Sequence, residues 1–363
     1  MKKVLICGGH LTPALAVIEQ LKREKIEIIF IGRKHSIEGS KNLSTEFVKI
    51  KALNIKFLPL LTGRLQRKIT THTFISIIKI PIGLLQSFIY LLLNKPNVVV
   101  SFGSYLSTPV VISAWLLGIP SITHEQATKI GIANKINSLF TREFYSAWQL
   151  QGLDSRSVIG NPTRLCIYQK SAKNKRIQQF LKTNKKILYI TGGNLGSHYI
   201  NRIIFESPKR LKEYKIIHQL GNANYKGDHQ TAGKINDSNY FALPYIEDSD
   251  IGAVLNCAHI VVSRSGANTI WELALLKKVS LLIPLPFAGA KEQEHNAKVL
   301  EEAGSALIIH QKNLTLQTLE SGLKEISANY AKYTKNAHNF SGKLKKDAAT
   351  VLKNHILKYL KNA

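Results

Sequence analysis

The chain has 363 residues, of which 44% are hydrophobic, and a formal net charge of +27 at pH 7. This length exceeds one average domain and suits two domains of roughly 150–200 residues each. The three cysteines are scattered without C-x-x-C spacing, which argues against a disulfide framework or a structural zinc site and favours a reducing, cytoplasmic setting. A strand pattern begins at residue 2, so we expect no signal peptide.

The first half of the chain alternates strand and helix patterns. An apolar run at 4–7 ends in Gly8-Gly9 and leads into a helical pattern from Pro13, and further strands are expected near 27–32, 98–102, 121–125 and 143–147. This alternation predicts a parallel sheet, in which ligands bind beyond the carboxyl ends of the strands. His10 and Glu125 both lie at such ends, so we expect them to approach one crevice. The alternatives are that His10 caps the following helix and that Glu125 is an N-cap or ion-pair acid.

A segment without acidic residues, 47–124, contains eight basic residues and the longest apolar stretch of the chain, 69–93. Positive fields of this kind attract anionic lipid or nucleic acid, although a lysine-rich proteome would also produce basic proteins. Lys79 and Pro81 interrupt the apolar stretch, whereas a membrane-spanning helix needs about 20 predominantly apolar residues. We interpret it as one or two helices whose apolar, basic-flanked face docks on a bilayer surface. A wholly buried core helix is the alternative.

The second half repeats the plan of the first. A strand at 187–191 is followed by the turn G-G-N-L-G-S and a helix at 198–205, and further strands are expected near 215–220, 240–243, 259–263, 279–284 and 306–309. The turn Gly160-Asn161-Pro162 is the predicted hinge, because Asn-Pro favours a turn. We therefore expect an N-terminal domain at 1–160, a C-terminal domain at 161–326, and a basic helical tail at 327–363 that packs back toward the N-terminal domain.

The most informative turn follows the strand at 259–262. The turn, R-S-G-A-N, consists of small residues after its arginine and leads directly into a helical pattern. Backbone N–H groups at such a helix N-terminus can hold a phosphate or sugar oxygen. Glu272 comes one turn into the helix, where it can accept paired ribose hydroxyls, and Gln293 lies just beyond the next strand. The combination indicates a nucleotide-sugar pocket, whereas the turn alone would also suit an ordinary strand–helix connection with a surface glutamate.

Two other nucleotide-binding classes are disfavoured. The first glycine turn is C-G-G-H-L-T-P and not G-x-G-x-x-G, and Gly32-Arg33-Lys34 stands where an NAD enzyme usually has an acid. The chain contains no G-x-x-x-x-G-K-[ST] string, which a P-loop requires.

Taken in order, eight strings closely resemble the MurG family of glycosyltransferases over nearly the whole chain. They are C-G-G-H-L-T-P-A-L-A, S-F-G-S-Y-L-S-T-P, G-I-P-S-I-T-H-E-Q, A-N-K-I-N, G-N-P-T-R, T-G-G-N-L-G-S-x-x-I-N, S-R-S-G-A-N-T-I-W-E and Q-E-H-N-A. Family members transfer N-acetylglucosamine from UDP-N-acetylglucosamine to undecaprenyl-pyrophosphoryl-MurNAc-pentapeptide, with inversion at the anomeric carbon. The resemblance implies the α/β GT-B fold, in which two doubly wound parallel-sheet, Rossmann-like domains face a cleft.

The resemblance also implies the site residues. It places the catalytic chemistry at His10 and Glu125. The residues implied for binding the donor are Cys7, Gly8, Gly9, Ala127, Arg164, Asn194, Ile246, Ala267, Asn268, Thr269, Ile270, Trp271, Glu272 and Gln293. Those implied for binding the acceptor are Gly103, Ser104, Tyr105, His124 and Gln126.

The implied partners are UDP-N-acetylglucosamine, a polyprenyl-pyrophosphate-linked MurNAc-peptide acceptor and an anionic membrane surface, without nucleic acid. We expect a peripheral protein at the cytoplasmic face of the membrane. No metal or cofactor is expected, because an arginine and helix N-termini can carry the charge of the leaving UDP.

The chain departs from the family pattern at three places. Its first glycine loop is shortened, with Cys7 where threonine is usual, Ala127 replaces an asparagine, and Ser104 replaces a glycine. Two alternatives therefore stay open beside the MurG reaction. One is another UDP-sugar GT-B glycosyltransferase with a different lipid acceptor, and the other is a non-catalytic homologue that binds nucleotide sugar or membrane.

Overall fold

The computed structural model describes residues 2–35, 43–63, 71–286 and 291–361, and of 71–78 the backbone alone. Contacts within the chain divide it into two compact units. The first comprises Met1–Arg164 and Lys345–Ala363, and the second Leu165–Leu344.

The first unit holds a six-stranded parallel sheet in the order β3-β2-β1-β4-β5-β6. Its strands are β1 (Lys3–Cys7), β2 (Glu27–Gly32), β3 (Lys56–Pro59), β4 (Val98–Ser101), β5 (Ser121–Glu125) and β6 (Glu143–Ser146). In β1, Val4 and Ile6 pack into one hydrophobic cluster while Leu5 and Cys7 pack into another. Because successive side chains of a strand point to opposite faces, both faces of this sheet are covered, which explains the unbroken apolar run.

The second unit has the same topology in the order β12-β11-β10-β7-β8-β9. Its strands are β7 (Lys186–Thr191), β8 (Tyr214–Gln219), β9 (Tyr240–Leu243), β10 (Ala258–Ser263), β11 (Val279–Leu282) and β12 (Ala306–Ile308). All neighbours in both sheets are parallel. The strand order reverses between β1 and β4 and between β7 and β10, and in doubly wound sheets ligands bind at such reversals.

Fourteen α-helices are present among the described residues. They are α1 (Leu11–Leu21), α2 (Thr45–Ala52), α3 (Thr71–Asn94), α4 (Ser107–Leu116), α5 (Ile132–Asn137), α6 (Lys175–Leu181), α7 (His198–Glu206), α8 (Asp228–Gly233), α9 (Ile251–Cys257), α10 (Ala267–Leu275), α11 (Glu292–Glu302), α12 (Leu316–Ala328), α13 (Tyr330–Gly342) and α14 (Ala348–Lys361).

The expected strand–helix alternation is confirmed, since each expected strand forms at the expected place. One strand, β3, is missing from the sequence-based expectation. It is a short edge strand in which only Phe57 is buried. A four-residue segment that begins with a lysine and ends with a proline gives little strand signal.

The unit boundaries differ in detail from the expected ones. The division falls after Arg164, and the lysine-rich tail from 327 is shared between the units. Helix α13 stays with the second unit, where the Ser341 hydroxyl donates to the Leu275 carbonyl at 3.2 Å. Helix α14 packs on α1 of the first unit and buries Leu352, Ile356 and Leu360.

The apolar stretch at 69–93 lies largely in α3, a single helix with Pro81 inside it. Over 82–93 one face of α3 is exposed, and Leu85 and Leu93 are 62% and 76% accessible. The alternative of a wholly buried core helix is therefore wrong for this part. No helix in the described ranges is long and apolar enough to cross a membrane.

Candidate functional site

Two glycine turns meet at the first strand-order reversal, between β1 and β4. The Gly9 N–H donates to the Gly103 carbonyl at 3.2 Å. Gly8 has a φ of +127°, and a Cβ there would lie 2.8 Å from the same carbonyl oxygen. Only glycine suits this position, because a side chain would have to occupy the space of the second turn. The turns therefore form one compact floor from which His10 and Ser104 emerge.

His10 occupies the N-cap position of α1 but makes no side-chain capping bond, contrary to the capping alternative. Burial lowers its pKa, and the Glu125 carboxylate partly opposes this by raising it. An imidazole with a lowered pKa is neutral at physiological pH and can accept a proton.

Glu125 is buried and accepts three hydrogen bonds from the segment that follows it. The donors are Ala127 N at 2.9 Å, Gly131 N at 3.0 Å and Asn134 Nδ2 at 3.0 Å. Gly131 is the N-cap residue of α5, so the carboxylate ties the turn to the helix start. Of the two implied catalytic residues, His10 has the lowered pKa that suits a proton acceptor. The Glu125 carboxylate instead holds the following loop in place through its three hydrogen bonds.

The implied acceptor residues differ in accessibility. His124 is buried, its Nε2 lies 2.9 Å from the Gly160 carbonyl, and burial lowers its pKa to about 4. The imidazole is thus neutral and donates through Nε2, while Nδ1 has no hydrogen-bond partner within the described ranges. Gln126 is also buried, whereas Tyr105 is partly accessible and packs against the hydrophobic cluster that contains Leu5 and Cys7. Ser104 has a φ of +71° where the family has glycine.

A polar network that the sequence analysis did not assign supports this floor. Asn137 Nδ2 donates to Ser107 Oγ at 2.8 Å and lies 3.4 Å from Ser101 Oγ and 3.3 Å from Asn134 Oδ1. A Cβ at Gly103 would lie 2.8 Å from Asn134 Nδ2. The two asparagines of the A-N-K-I-N string thereby join the second glycine turn to Glu125. The A-N-K-I-N string marks these two asparagines in the sequence, but its spacing does not predict which residues they contact.

In the second unit a glycine loop follows β7. Gly196 and Gly221, with φ of +85° and +97°, cross so closely that a Cβ on Gly221 would lie 2.1 Å from Gly196 N. Asn222 N donates to the Asn194 carbonyl at 2.9 Å, and the Asn194 side chain is exposed. The loop thus holds Asn194 outward at the carboxyl edge of the sheet, directly before α7.

Gln219, at the end of β8, links this loop to the segment after β9. Its Oε1 accepts from Ile246 N at 3.1 Å and from the Tyr189 hydroxyl at 3.4 Å. Its Nε2 donates to Thr191 Oγ1 at 3.2 Å and lies 3.5 Å from the Gly193 carbonyl. Gln219 is not predicted from the sequence, because a buried glutamine at the end of a strand belongs to no recognisable motif.

The R-S-G-A-N turn leads into α10 as expected, and α11 is tied to it. Ser265 Oγ donates to the Gln293 carbonyl at 2.7 Å, and Asn296 Nδ2 donates to the Ser265 carbonyl at 3.2 Å. Gln293 Oε1 accepts from Leu285 N at 3.0 Å. The structure therefore brings Gln293 to the start of α10.

The stretch implied for ribose binding, 267–272, is not uniformly accessible. Asn268, Thr269 and Glu272 are partly accessible, whereas Ile270 and Trp271 are each 1% exposed. The helical period sends the latter two side chains into the core, so they cannot offer those side chains to a ligand. The same holds for the side chains of the buried residues Cys7, Ala127, Ile246 and Ala267.

The charge of Glu272 affects the pKa of two tyrosines. Burial raises the pKa of Tyr168 and of Tyr189, and the Glu272 carboxylate raises both further. Tyr168 is 44% exposed and lies just after Arg164, the last residue of the first unit.

Arg264, the first residue of the R-S-G-A-N turn, is buried. Its Nη1 donates to the Ile283 and Pro284 carbonyls at 3.0 and 3.3 Å, and Nη2 donates to Ser197 Oγ at 2.7 Å and Gln311 Oε1 at 2.6 Å. Burial lowers its pKa to about 10, so the guanidinium remains charged at neutral pH.

One string typical of metal-dependent glycosyltransferases, D-x-D, does occur at Asp248-Ser249-Asp250, which the sequence-based expectation of a metal-free site overlooked. Asp250 Oδ1 accepts from Lys173 N at 2.6 Å and Asn174 N at 2.8 Å, and Oδ2 accepts from Ser249 Oγ at 2.9 Å. Its carboxylate thus anchors the segment before α6. Over the described ranges, no group of three or more His, Cys, Asp or Glu side chains could hold a metal ion.

Comparison with known proteins identifies the family. The glycosyltransferase family 28 N-terminal domain matches 7–146 and the C-terminal domain matches 187–352. The UDP-N-acetylglucosamine–N-acetylmuramyl-(pentapeptide) pyrophosphoryl-undecaprenol N-acetylglucosamine transferase of Treponema denticola is 34% identical, covering 83% of this chain and 81% of that protein. The enzyme of the same name from Clostridium tetani is 31% identical, covering 94% of both chains. The chain belongs to the MurG family of glycosyltransferases.

Solved structures agree with this membership. The MurG crystal structure from Acinetobacter baumannii is 25% identical, with a TM-score of 0.75 over 99% of this chain and 100% of that one. The Staphylococcus aureus MnaA–UDP co-structure is 16% identical, with a TM-score of 0.69 over 99% of this chain and 97% of that one, and supports the fold alone. The chain is thus a glycosyltransferase with the GT-B fold, built of two Rossmann-like domains.

Proposed function

We propose that this MurG-family protein transfers N-acetylglucosamine from UDP-N-acetylglucosamine to undecaprenyl-pyrophosphoryl-MurNAc-pentapeptide, lipid I, and so forms lipid II in peptidoglycan synthesis. The observation that carries the proposal is the 34% identity, over most of both chains, to a protein named for this reaction.

His10 is proposed as the base. It accepts the proton of the acceptor hydroxyl while that oxygen attacks the anomeric carbon. The new carbon–oxygen bond forms as the bond to the β-phosphate oxygen breaks, and its electron pair leaves with UDP. Attack from the side opposite the leaving group inverts the anomeric configuration.

The second unit is proposed to hold the donor. The N-termini of α7 and α10, together with the Arg164 guanidinium, stabilise the charge that develops on the diphosphate. Glu272 accepts the ribose hydroxyls and Gln293 contacts the sugar. Because the Ile246 N–H already donates to Gln219, its carbonyl is the backbone group proposed to accept from uracil N3–H.

The test is transfer of radiolabelled N-acetylglucosamine from UDP-N-acetylglucosamine to a short-chain lipid I analogue. Wild type should form labelled product, and His10→Ala should lower the rate by about 10²–10⁴-fold, the range for a general base. His338→Ala, at an exposed histidine of α13, is the matched control and should keep the wild-type rate. UDP binding without any transfer would instead favour the non-catalytic homologue. Transfer only to other lipid acceptors would favour the related glycosyltransferase.

We further propose peripheral binding to the cytoplasmic face of an anionic membrane through the first unit. Large apolar side chains are exposed along α3 and at the ends of α4 and α5, and α4 packs between these two helices. This apolar surface comprises Ile82, Leu85, Ile89, Leu92, Leu93, Trp115, Leu116 and Leu139. Exposed basic residues nearby in the chain are Lys95, Lys129, Lys135 and Arg142. Exposed apolar side chains with basic residues close by in the chain suit the interface of an anionic bilayer.

A further inference from the structure

We propose that Arg264 supplies a fixed positive charge beneath the donor diphosphate and thereby favours UDP over the uncharged nucleoside. The inference rests on the proposed function, because it concerns the donor of that reaction. It assigns Arg264 a positioning and electrostatic role without direct contact with the reacting atoms.

In the part of the chain that the structure describes, the Arg264 guanidinium donates to neutral oxygens only. Nη1 bonds to the carbonyls of Ile283 and Pro284, and Nη2 bonds to the Ser197 hydroxyl and the Gln311 side-chain oxygen. Within the described ranges no carboxylate forms an ion pair with Arg264, which is 7% exposed. A buried charge without a counter-ion is costly, so the site favours an anion close by.

The helix N-termini next to Arg264 carry a partial positive charge, the same sign as the guanidinium. Ser197, which accepts from Nη2, is the N-cap residue of α7, and Arg264 itself precedes the start of α10 at Ala267. Both helix N-termini present the positive ends of their dipoles. Because β7 and β10 are adjacent and parallel, their two loops and Arg264 lie at one edge of the sheet, at the strand-order reversal. A second buried polar group, the Ser263 hydroxyl at the end of β10, has no hydrogen-bond partner within the described ranges.

The affinities for UDP and for uridine together distinguish a charge effect from mechanical support. If Arg264 only held the loops in shape, replacing it would weaken the binding of UDP and of uridine alike, since both contain uracil and ribose. A charge beneath the diphosphate would affect UDP and leave uridine nearly unchanged, because uridine has no phosphate.

Gln311→Glu provides the sharpest test. The new carboxylate would keep the acceptor that lies 2.6 Å from Arg264 Nη2 and would neutralise the guanidinium. Calorimetry should show the Kd for UDP rising about tenfold and that for uridine changing less than about twofold. Gln317→Glu, at an exposed position of α12, adds the same charge elsewhere in the second unit and should leave both affinities unchanged.

Direct substitution of Arg264 complements this variant. Arg264→Lys retains the charge and should keep most of the preference for UDP, whereas Arg264→Gln should lose about tenfold of it. If Arg264→Gln does not fold, Gln311→Glu decides alone. Equal losses for UDP and uridine, or unchanged UDP affinity in the Gln311→Glu variant, would overturn the inference. If wild type bound no UDP at all, the proposed function would fail first and this inference with it.

Discussion

Glu125 ends β5 and His10 follows the glycine turn after β1, yet their surroundings give them different chemical capacities. The Glu125 carboxylate already accepts three hydrogen bonds, whereas the His10 imidazole makes no capping bond. The negative charge of Glu125 nevertheless acts on His10, because it raises the His10 pKa against the effect of burial. The two residues are therefore coupled through charge even if only one of them takes the proton.

This coupling predicts a shift in pH dependence. If His10 is the base, kcat/KM falls at acid pH as the imidazole becomes protonated. Glu125→Gln removes the charge that raises the His10 pKa, so this pKa should fall further and the acid limb should move to lower pH. The measurement is kcat/KM between about pH 5 and 8, the range in which histidine titrates. A limb that stays in place or moves to higher pH would refute the coupling, whatever happens to the maximum rate.

Glu272 carries the second residue-scale prediction. Its carboxylate is partly accessible one turn into α10, and we propose that it accepts the ribose hydroxyls. Glu272→Ala should weaken UDP binding by about 1.5–3 kcal/mol, the range for a charge-assisted hydrogen bond. Calorimetry with UDP measures this, and Glu302→Ala at an exposed position of α11 is the control. Unchanged affinity in a folded Glu272→Ala protein would remove the assignment.

At the scale of elements, the sequence predicts the strands and turns better than the contacts between them. Unbroken apolar runs predict buried strands such as β1 and β10, and glycines at tight turns predict the loops. The edge strand β3 gives no such signal. Likewise, the buried hydrogen bonds of Gln219, Asn137 and Arg264 depend on segments far away in the chain. Their partners become known only when the sheet is assembled.

Ser104 yields a prediction about the second glycine turn. Its φ of +71° lies in the left-handed region, which costs an L-residue roughly 1–2 kcal/mol. Ser104→Gly relieves this strain but adds freedom to the unfolded chain, so the free energy of unfolding should rise by about 0.5–1 kcal/mol. Denaturant unfolding followed by circular dichroism measures it.

The neighbouring glycine provides the opposite change. Gly103 has a φ of +70°, and a Cβ there would lie 2.8 Å from Asn134 Nδ2. Gly103→Ala should therefore lower the free energy of unfolding. A Ser104→Gly protein that is less stable than wild type would show that the serine side chain contributes more than its backbone strain costs.

At the scale of the whole molecule, the two units share a sheet topology but differ in their surfaces. The first presents the apolar surface on α3, α4 and α5, and the segment 47–124 has no acidic residue. Three basic residues of that segment, Arg64, Arg67 and Lys68, lie outside the described residues. Both units have glycine turns at the carboxyl edge of their sheets, so the exposed apolar surface is the feature on which the proposed membrane contact of the first unit rests.

The last prediction concerns membrane binding. Each Lys or Arg near an anionic surface contributes about 1 kcal/mol, so a few engaged side chains hold the protein reversibly. Binding to anionic vesicles in a sedimentation assay should weaken with salt, because the Debye length shrinks from ~10 Å at 0.1 M to ~3 Å at 1 M. Changing Arg64, Arg67 and Lys68 to Gln should weaken it further. The same change at Lys209, Lys234 and Lys312, exposed in the second unit, removes equal charge as a control.

The apolar part of the surface separates docking from simple charge attraction. Leu85→Ser with Leu93→Ser removes two of its exposed side chains and should weaken binding at high salt, where the electrostatic contribution is screened. A protein held by charge alone would lose all binding in 1 M salt and would not respond to these substitutions. If binding is indifferent to lipid charge, to salt and to all of these variants, the positive charge of the first unit reflects a basic proteome and the proposed docking is wrong.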